Sequence, residues 1–209
     1  YEKSQPIPSA DAYFPDIGAI GAIASTLRKP QHPLRAWYVV GKGTGKKELE
    51  AAISLRGYRC FKLKLSGASA RDDARRTSEV FHYLREILGD EATTDSAAPI
   101  ELTVDTNEAN PDAASVSHYL DHLASESLDA YRALRYFEQP TARNIVEHPY
   151  DWREVTERKP VLLDEGLTDL DLMEEAQRQG WSGFALKTCK GHSFALTADH
   201  AVLIETPLQ

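Results

Sequence analysis

Cysteine is scarce in this chain, with only Cys60 and Cys189 among its 209 residues. We predict that these two cysteines lie at opposite ends of their strands, which argues against a disulfide between them. A protein without disulfides is typical of a reducing compartment. We therefore expect a cytoplasmic protein.

Long apolar runs and blocks of positive charge are also missing. No apolar stretch approaches the roughly 18 residues that a membrane-spanning helix needs. The N-terminus has no basic segment followed by an apolar core, so a signal peptide is not indicated. The formal net charge is -8 at pH 7, and no basic block offsets it. This charge argues against a nucleic-acid-binding protein and against a protein that binds acidic membranes.

The chain divides into a short N-terminal segment and a regular alternation of elements. Residues 1–33 are rich in Pro, Ala, Gly and Ser and are predicted to be a lead-in or the remnant of another domain, whereas residues 34–209 are predicted to form the main domain. Strands are predicted at 35–40, 60–65, 100–107, 133–138, 161–164 and 184–187. Helices are predicted at 48–55, 71–88, 111–126, 149–158 and 170–179, and from 193 onward. This alternation predicts an α/β fold with a parallel sheet.

Residue parity along the strands favours a barrel over a doubly wound sheet. Phe61 and Leu63 share one face of their strand, and Lys62 and Lys64 share the other. A doubly wound sheet needs apolar residues on both faces. A barrel has helices outside and a polar mouth at the C-terminal ends of its strands. We therefore predict a (β/α) barrel.

Charged residues end five of the predicted strands. Taken singly, each has an ordinary explanation: a Lys-x-Lys pair fits a solvated edge strand, and Asp-x-Asn fits a turn or a helix cap. Taken together, they place several charges on one inner face, where burying a charge without a partner would cost too much free energy. The residues are Lys62, Lys64, Asp105, Glu138, Asp164 and Lys187.

Three of these residues are carboxylates, and a hard divalent cation would offset their charge. Oxygen ligands with no histidine nearby favour Mg²⁺ over zinc. A cation bound to a substrate carboxylate stabilises the enediolate that forms when a proton leaves the adjacent carbon. The base must be a neutral amine, and burial of Lys64 near a cation and near Lys62 favours that form. Lys187 would reach the opposite face of the substrate.

The motifs as a set resemble the enolase superfamily, and within it the muconate lactonizing enzyme-like group. The resemblance covers about residues 35–191 and implies a TIM-type (β/α) barrel and a Mg²⁺-dependent isomerase or lyase. It rests on Lys62-Leu63-Lys64, Asp105-Thr106-Asn107, Phe137-Glu138-Gln139-Pro140, Asp164-Glu165 and Lys187-Thr188-Cys189-Lys190-Gly191.

The resemblance implies a role for each matching residue. Asp105, Glu138 and Asp164 would bind Mg²⁺, and Lys64 and Lys187 would act as acid and base. Lys62 would tune Lys64. Supporting or substrate-binding roles are expected for Asn107, Glu165 and Lys190.

The chain also departs from that family. Residues 1–33 are too short for the capping domain that closes over such sites, and only 18 residues follow Gly191, so strands seven and eight are not visible. The polar stretch at 90–99 resembles an insertion. We therefore expect an incomplete barrel with strands one to six visible. Either the chain is a piece of a longer protein, or the cap and last strands come from elsewhere.

Several readings of the function stay open. Lysines on both faces allow racemisation or epimerisation, and equally cycloisomerisation or dehydration of a small organic acid. A non-catalytic fragment or descendant that serves as a metal-binding or assembly module is the alternative. A phosphate-binding barrel is disfavoured, because the glycine-rich stretch at 41–45 follows the first strand rather than the last two. The expected partner is a small carboxylate substrate, and a homo-oligomer is one alternative for the assembly.

Overall fold

The structure, a computed structural model, describes Asp11, residues 16–26, 36–89 and 99–187, and Cys189. The chain divides into two compact units, one formed by Leu34–Ala185 and the other by Tyr1–Pro33 with Leu186–Gln209. In the second of these units, the described residues include one helix, α1 (Gly18–Thr26). The division into domains at residue 34, predicted from the sequence, stays a prediction.

Strands and helices alternate through the described part of the Leu34–Ala185 unit. The strands are β1 (Trp37–Val40), β2 (Cys60–Lys64), β3 (Glu101–Asp105), β4 (Leu134–Glu138), β5 (Val161–Leu163) and β6 (Gly183–Phe184). The helices are α2 (Lys46–Arg56), α3 (Ala70–Leu88), α4 (Ala113–Glu126), α5 (Leu128–Ala133), α6 (Arg153–Thr156) and α7 (Asp171–Gln179).

Six described strands form one sheet in the order β1-β2-β3-β4-β5-β6, and each neighbouring pair is parallel. Strands that follow one another in chain order are arranged as in a (β/α) barrel. A doubly wound sheet would instead reverse its strand order at a switch point. The predicted parallel α/β sheet is therefore confirmed, and its strand order is that of a barrel.

The two faces of the sheet differ as the residue parity predicts. Phe61, Leu63 and Phe137 are almost completely buried on the helix-covered side. Tyr119 of α4 packs edge-on against Phe137, with ring centroids 5.6 Å apart. Lys62 and Lys64 alternate with these apolar residues in β2, so they project from the opposite face. The apolar core thus lies between the sheet and the helices, and the opposite face of the sheet carries the lysines of β2.

Capping side chains fix where the two long helices begin. Ser69 accepts a hydrogen bond from the Asp72 amide at the start of α3, and Asp112 accepts one from the Ser115 amide at the start of α4. The predicted start of α4 at residue 111 was therefore two residues early, because the Asp112 cap keeps an extended backbone outside the helix.

Three elements differ from the sequence prediction. Helix α5 was not predicted, although Ser127 caps it by accepting from the Ala130 amide. The helix expected at 149–158 is reduced to α6, Arg153–Thr156. The strand expected at 184–187 is only Gly183–Phe184. The predicted helix from 193 and the polar stretch at 90–98 lie outside the described residues.

Cys60 is buried and Cys189 is exposed, and both carry free thiols. Among the described residues, no helix combines the length and the apolar character that crossing a membrane would require.

Candidate active site

Strand register brings three of the predicted residues to one level at the C-terminal edge of the sheet. Lys64 pairs with Asp105 across β2 and β3, and Asp105 pairs with Glu138 across β3 and β4. Asp164 directly follows β5, the next strand along the sheet. Because side chains at one level of neighbouring strands share a face, these groups lie side by side.

Two lysine ammonium groups contact the acidic side chains directly. Lys62 Nζ lies 2.9 Å from Asp105 Oδ2 and 2.6 Å from Glu138 Oε1, so it bridges two strands. Lys64 Nζ lies 2.5 Å from Asp105 Oδ2 and also donates to Asn107 Oδ1 at 2.9 Å. Lys62, predicted only to tune Lys64, is therefore also the bridge between Asp105 and Glu138.

The three carboxylates are withdrawn from water. Asp105 is 1% exposed, Glu138 4% and Asp164 1%. Burial acts to raise the pKa of Asp105, but hydrogen bonds from Lys64 and Lys62 outweigh it and hold that pKa below its usual value. Asp105 is therefore a stable anion in this site.

Glu138 is shifted in the opposite direction. Burial raises its pKa, and its hydrogen bond with the Asp164 side chain and the negative charge of Asp105 raise it further, against the lowering effect of Lys62. Two carboxyl groups in hydrogen-bond contact cannot both be ionised at low cost unless a proton or a cation lies between them. The Glu138–Asp164 pair is thus an excess of negative charge that an added cation would relieve.

The three acidic side chains offer only carboxylate oxygens as ligands. Hard divalent cations such as Mg²⁺ prefer oxygen ligands, so these residues fit such a cation. Glu165 Oε2 is also buried and accepts no hydrogen bond from the residues that the structure describes. Within those same residues, no three histidine, cysteine or acidic side chains form a ready-made metal-binding group. Lys62 lies between Asp105 and Glu138, in contact with both carboxylates. The metal-binding role of Asp105, Glu138 and Asp164 stays a prediction.

The loop after β3 orients Lys64 through Asn107. The Asn107 amide donates to Asp105 Oδ1 at 2.8 Å, while its side-chain oxygen accepts from Lys64. Its side-chain nitrogen donates to Glu165 Oε1 at 3.2 Å. Asn107 has a φ of 48°, a conformation that asparagine tolerates better than most residues. The supporting roles predicted for Asn107 and Glu165 agree with these contacts and stay predictions.

Sequence reasoning missed an ion pair beside the site. Glu108 has a φ of 70°, and its carboxylate accepts from Arg143 Nε at 3.0 Å and Nη2 at 2.5 Å. The pair joins the loop after β3 to the loop after β4. No local signal in the sequence indicates it, because the two residues are 35 positions apart and both are of types common on surfaces.

Gly67 sets the packing between the loops after β2 and β3. Its φ is 70°, and a Cβ there would lie 2.7 Å from the carbonyl carbon of Ala109 and 2.9 Å from the Asn110 nitrogen. The buried carboxylate of Asp73 accepts from the amides of Ser66 and Gly67 at 2.9 and 2.8 Å. The loop that follows Lys64 is thereby held against the loop that contains Asn107.

Replacing Gly67 by alanine should therefore destabilise the fold more than replacing Gly57 by alanine. Gly57 has a similar φ of 65°, but nothing lies within 4 Å of a Cβ built there. Both variants carry the cost of a left-handed backbone, about 1 to 2 kcal/mol, and only Gly67→Ala adds an overpacking cost of about 1 to 3 kcal/mol. Urea unfolding measures the difference. Equal losses for the two variants would contradict close packing at Gly67.

Two predicted residues lie outside the Leu34–Ala185 unit. Lys187 is half-buried and belongs to the unit that contains Leu186–Gln209, so its action on the opposite face of a substrate stays a prediction. Lys190 lies outside the described residues.

Comparison with known proteins gives similarity in structure only. No protein-family model matches the sequence, and no curated protein is significantly similar to it. A mandelate racemase/muconate lactonizing enzyme from Roseiflexus sp. matches with a TM-score of 0.60 and 21% identity, over 82% of this chain and 45% of its own. Muconate lactonizing enzyme from Pseudomonas putida matches with a TM-score of 0.57 and 21% identity, over 82% of this chain and 44% of its own.

A third solved structure, O-succinylbenzoate synthase from Thermosynechococcus elongatus with magnesium in its active site, matches with a TM-score of 0.53 and 20% identity. The match covers 88% of this chain and 52% of that protein. The chain thus spans about half the length of these structures, or less. The similarity shows a shared fold and confirms the predicted partial (β/α) barrel.

Proposed function

We propose that this chain carries a Mg²⁺-dependent site that removes a proton alpha to a carboxylate of a small organic acid. The observation that carries the proposal is the contact of Lys62 and Lys64 with Asp105 and Glu138, at the edge where Asp164 also lies. Buried carboxylates beside lysines suit both a divalent cation and amine bases. The proteins that share this fold include enzymes of the enolase superfamily, which supports the same kind of reaction.

Asp105, Glu138 and Asp164 would hold the cation. When bound, Mg²⁺ would supply concentrated positive charge for the substrate carboxylate, whose negative charge grows as the alpha proton leaves. The excess negative charge of the Glu138–Asp164 pair is the part of the site that this cation would neutralise.

Lys64 is the proposed base. In the structure its Nζ is held by Asp105 and Asn107, two acceptors that fix the direction of the amine. Lys62, bound to Asp105 and Glu138, keeps a positive charge nearby: burial acts to lower its pKa, but its hydrogen bonds to Glu138 and Asp105 outweigh burial and raise that pKa above its usual value.

Lys187 is the proposed second acid or base, on the other face of the substrate. If both lysines exchange protons, the reaction is a racemisation or an epimerisation. If only one does, the result is a cycloisomerisation or a loss of water. Lys62 and Lys64 fit all of these reactions equally. The step that the reactions share is removal of the alpha proton.

Exchange of an alpha proton with solvent deuterium tests the proposal directly. We expect the protein to exchange the alpha proton of at least one acid in a broad panel when Mg²⁺ is present, and to lose this activity when EDTA is added. Mass spectrometry detects the incorporated deuterium. Binding of Mg²⁺ without exchange of any acid would favour the alternative, a non-catalytic metal-binding or assembly module.

A further inference from the structure

We propose that Gln139 is a positioning residue that sets the distance between Glu138 and Asp164 and so determines whether the two can share a cation. This inference rests on the proposed function, because it concerns the same carboxylates. The residue is completely buried, lies directly after Glu138 at the end of β4, and uses both its side chain and its backbone to contact neighbouring strands.

The side chain of Gln139 holds the segment that contains Asp164. Gln139 Oε1 accepts from the backbone amides of Asp164 at 2.8 Å and of Gly166 at 3.0 Å. Its Nε2 donates to the backbone carbonyl of Thr141 at 3.0 Å, which fixes the orientation of the amide group. Both polar atoms of this side chain therefore have partners, and each of these bonds is buried.

The backbone of Gln139 adds two further links. Its N–H donates to the Leu162 carbonyl at 2.9 Å, and its carbonyl accepts from the Glu108 amide at 2.9 Å. One residue thus joins the loop after β3, the end of β4 and the end of β5. These three segments hold the three proposed metal ligands or the residues next to them.

Gln139 also has a φ of 35°, in the left-handed region that side chains other than glycine rarely adopt. A strained backbone persists only where its surroundings determine it strongly. In this conformation the side chain reaches the amides of Asp164 and Gly166, directly after β5. Glycine would relieve the strain but would remove the acceptor for Asp164 and Gly166.

Partners that orient metal-binding side chains typically contribute 10- to 100-fold in metal affinity. Gln139→Leu removes the acceptor at similar volume. We therefore expect it to weaken Mn²⁺ binding, measured by electron paramagnetic resonance, by roughly 10- to 100-fold. Gln139→Glu keeps an oxygen acceptor for both amides. We expect it to bind Mn²⁺ with close to the wild-type affinity.

Gln179→Leu is the matched control. Gln179 is also a buried glutamine, and its Nε2 donates to the Ile145 carbonyl at 2.8 Å and to Glu175 at 2.7 Å. None of these partners is a proposed metal ligand. We expect this variant to lose stability while keeping the wild-type affinity for Mn²⁺, which separates positioning of ligands from general stabilisation.

Amide hydrogen exchange of the metal-free protein gives a readout that does not depend on metal binding. The amides of Asp164 and Gly166 should exchange faster in Gln139→Leu, and at the wild-type rate in Gln139→Glu and Gln179→Leu. If Gln139→Leu does not fold, Gln139→Asn replaces it, because a side chain shorter by one carbon also withdraws the acceptor.

The outcomes distinguish the two proposals. Wild-type protein that binds no Mn²⁺ would overturn the proposed function. Wild-type protein that binds Mn²⁺, with Gln139→Leu or Gln139→Asn binding it equally well, would overturn the role of Gln139 alone. Unchanged exchange of the Asp164 and Gly166 amides in those variants would overturn it as well.

Discussion

Replacing Lys64 by methionine should reduce alpha-proton exchange by roughly 10²- to 10⁴-fold, the usual contribution of a positioned general base. Methionine keeps an unbranched apolar side chain of similar length but has no amine. The fold should survive, because Asp105 keeps its contact with Lys62 at 2.9 Å after Lys64 is removed. Deuterium incorporation into the substrate, followed by mass spectrometry, measures the loss.

Lys47→Met is the control for this experiment. Lys47 is an exposed lysine in α2, and the same substitution there removes an amine that has no proposed role in the site. We expect its exchange rate to equal that of the wild type. If Lys64→Met retained the wild-type rate as well, Lys64 could not be the base.

The fold was predictable because its signals are local. Alternation of apolar and charged residues in β2 assigns Phe61 and Leu63 to the core and Lys62 and Lys64 to the other face, and burial of the first pair agrees. Elements fixed by tertiary contacts were harder to predict. Helix α6 is only four residues long, and its neighbour Trp152 is buried with a ring 5.0 Å from that of Trp181, a contact invisible in the local sequence.

The common position of the site residues at the C-terminal edge of the sheet was also predictable. Parallel strands that end in charged residues place those residues at the same edge. Register then places Lys64, Asp105 and Glu138 side by side. The bridging position of Lys62 was not predictable. A side chain two residues earlier in β2 reaches the same carboxylates only because the lysine stem is long enough to extend one level along the face.

The loops after the strands were the least predictable part of the site. Asn107, Glu108 and Gln139 all have positive φ values, and only the first belongs to a residue type for which this is common. Their conformations follow from hydrogen bonds between loops that are distant in sequence. Local propensity therefore could not indicate that Gln139 turns its side chain toward β5.

Charge balance at the carboxylates gives Lys62 a proposed part in both stability and function. Lys62 has a side chain that is 16% exposed, and it contacts Asp105 and Glu138, whose side chains are 1% and 5% exposed. Water can solvate such buried carboxylates only poorly, so their negative charge depends on Lys62 for compensation. The ammonium of Lys62 and a divalent cation would neutralise the same acidic groups, so one should substitute in part for the other.

Replacing Lys62 by methionine should accordingly destabilise the metal-free protein by about 3 kcal/mol or more, since removing one member of a buried ion pair leaves charge uncompensated. Urea unfolding in EDTA measures this loss.

Adding Mg²⁺ should restore stability in Lys62→Met more than it stabilises the wild type, because a ligand that binds only the folded state shifts the equilibrium toward it. Lys46→Met, which removes an exposed ion pair with Glu86, should change little with or without Mg²⁺. A Lys62→Met variant that Mg²⁺ does not stabilise would show that the carboxylates do not bind this cation.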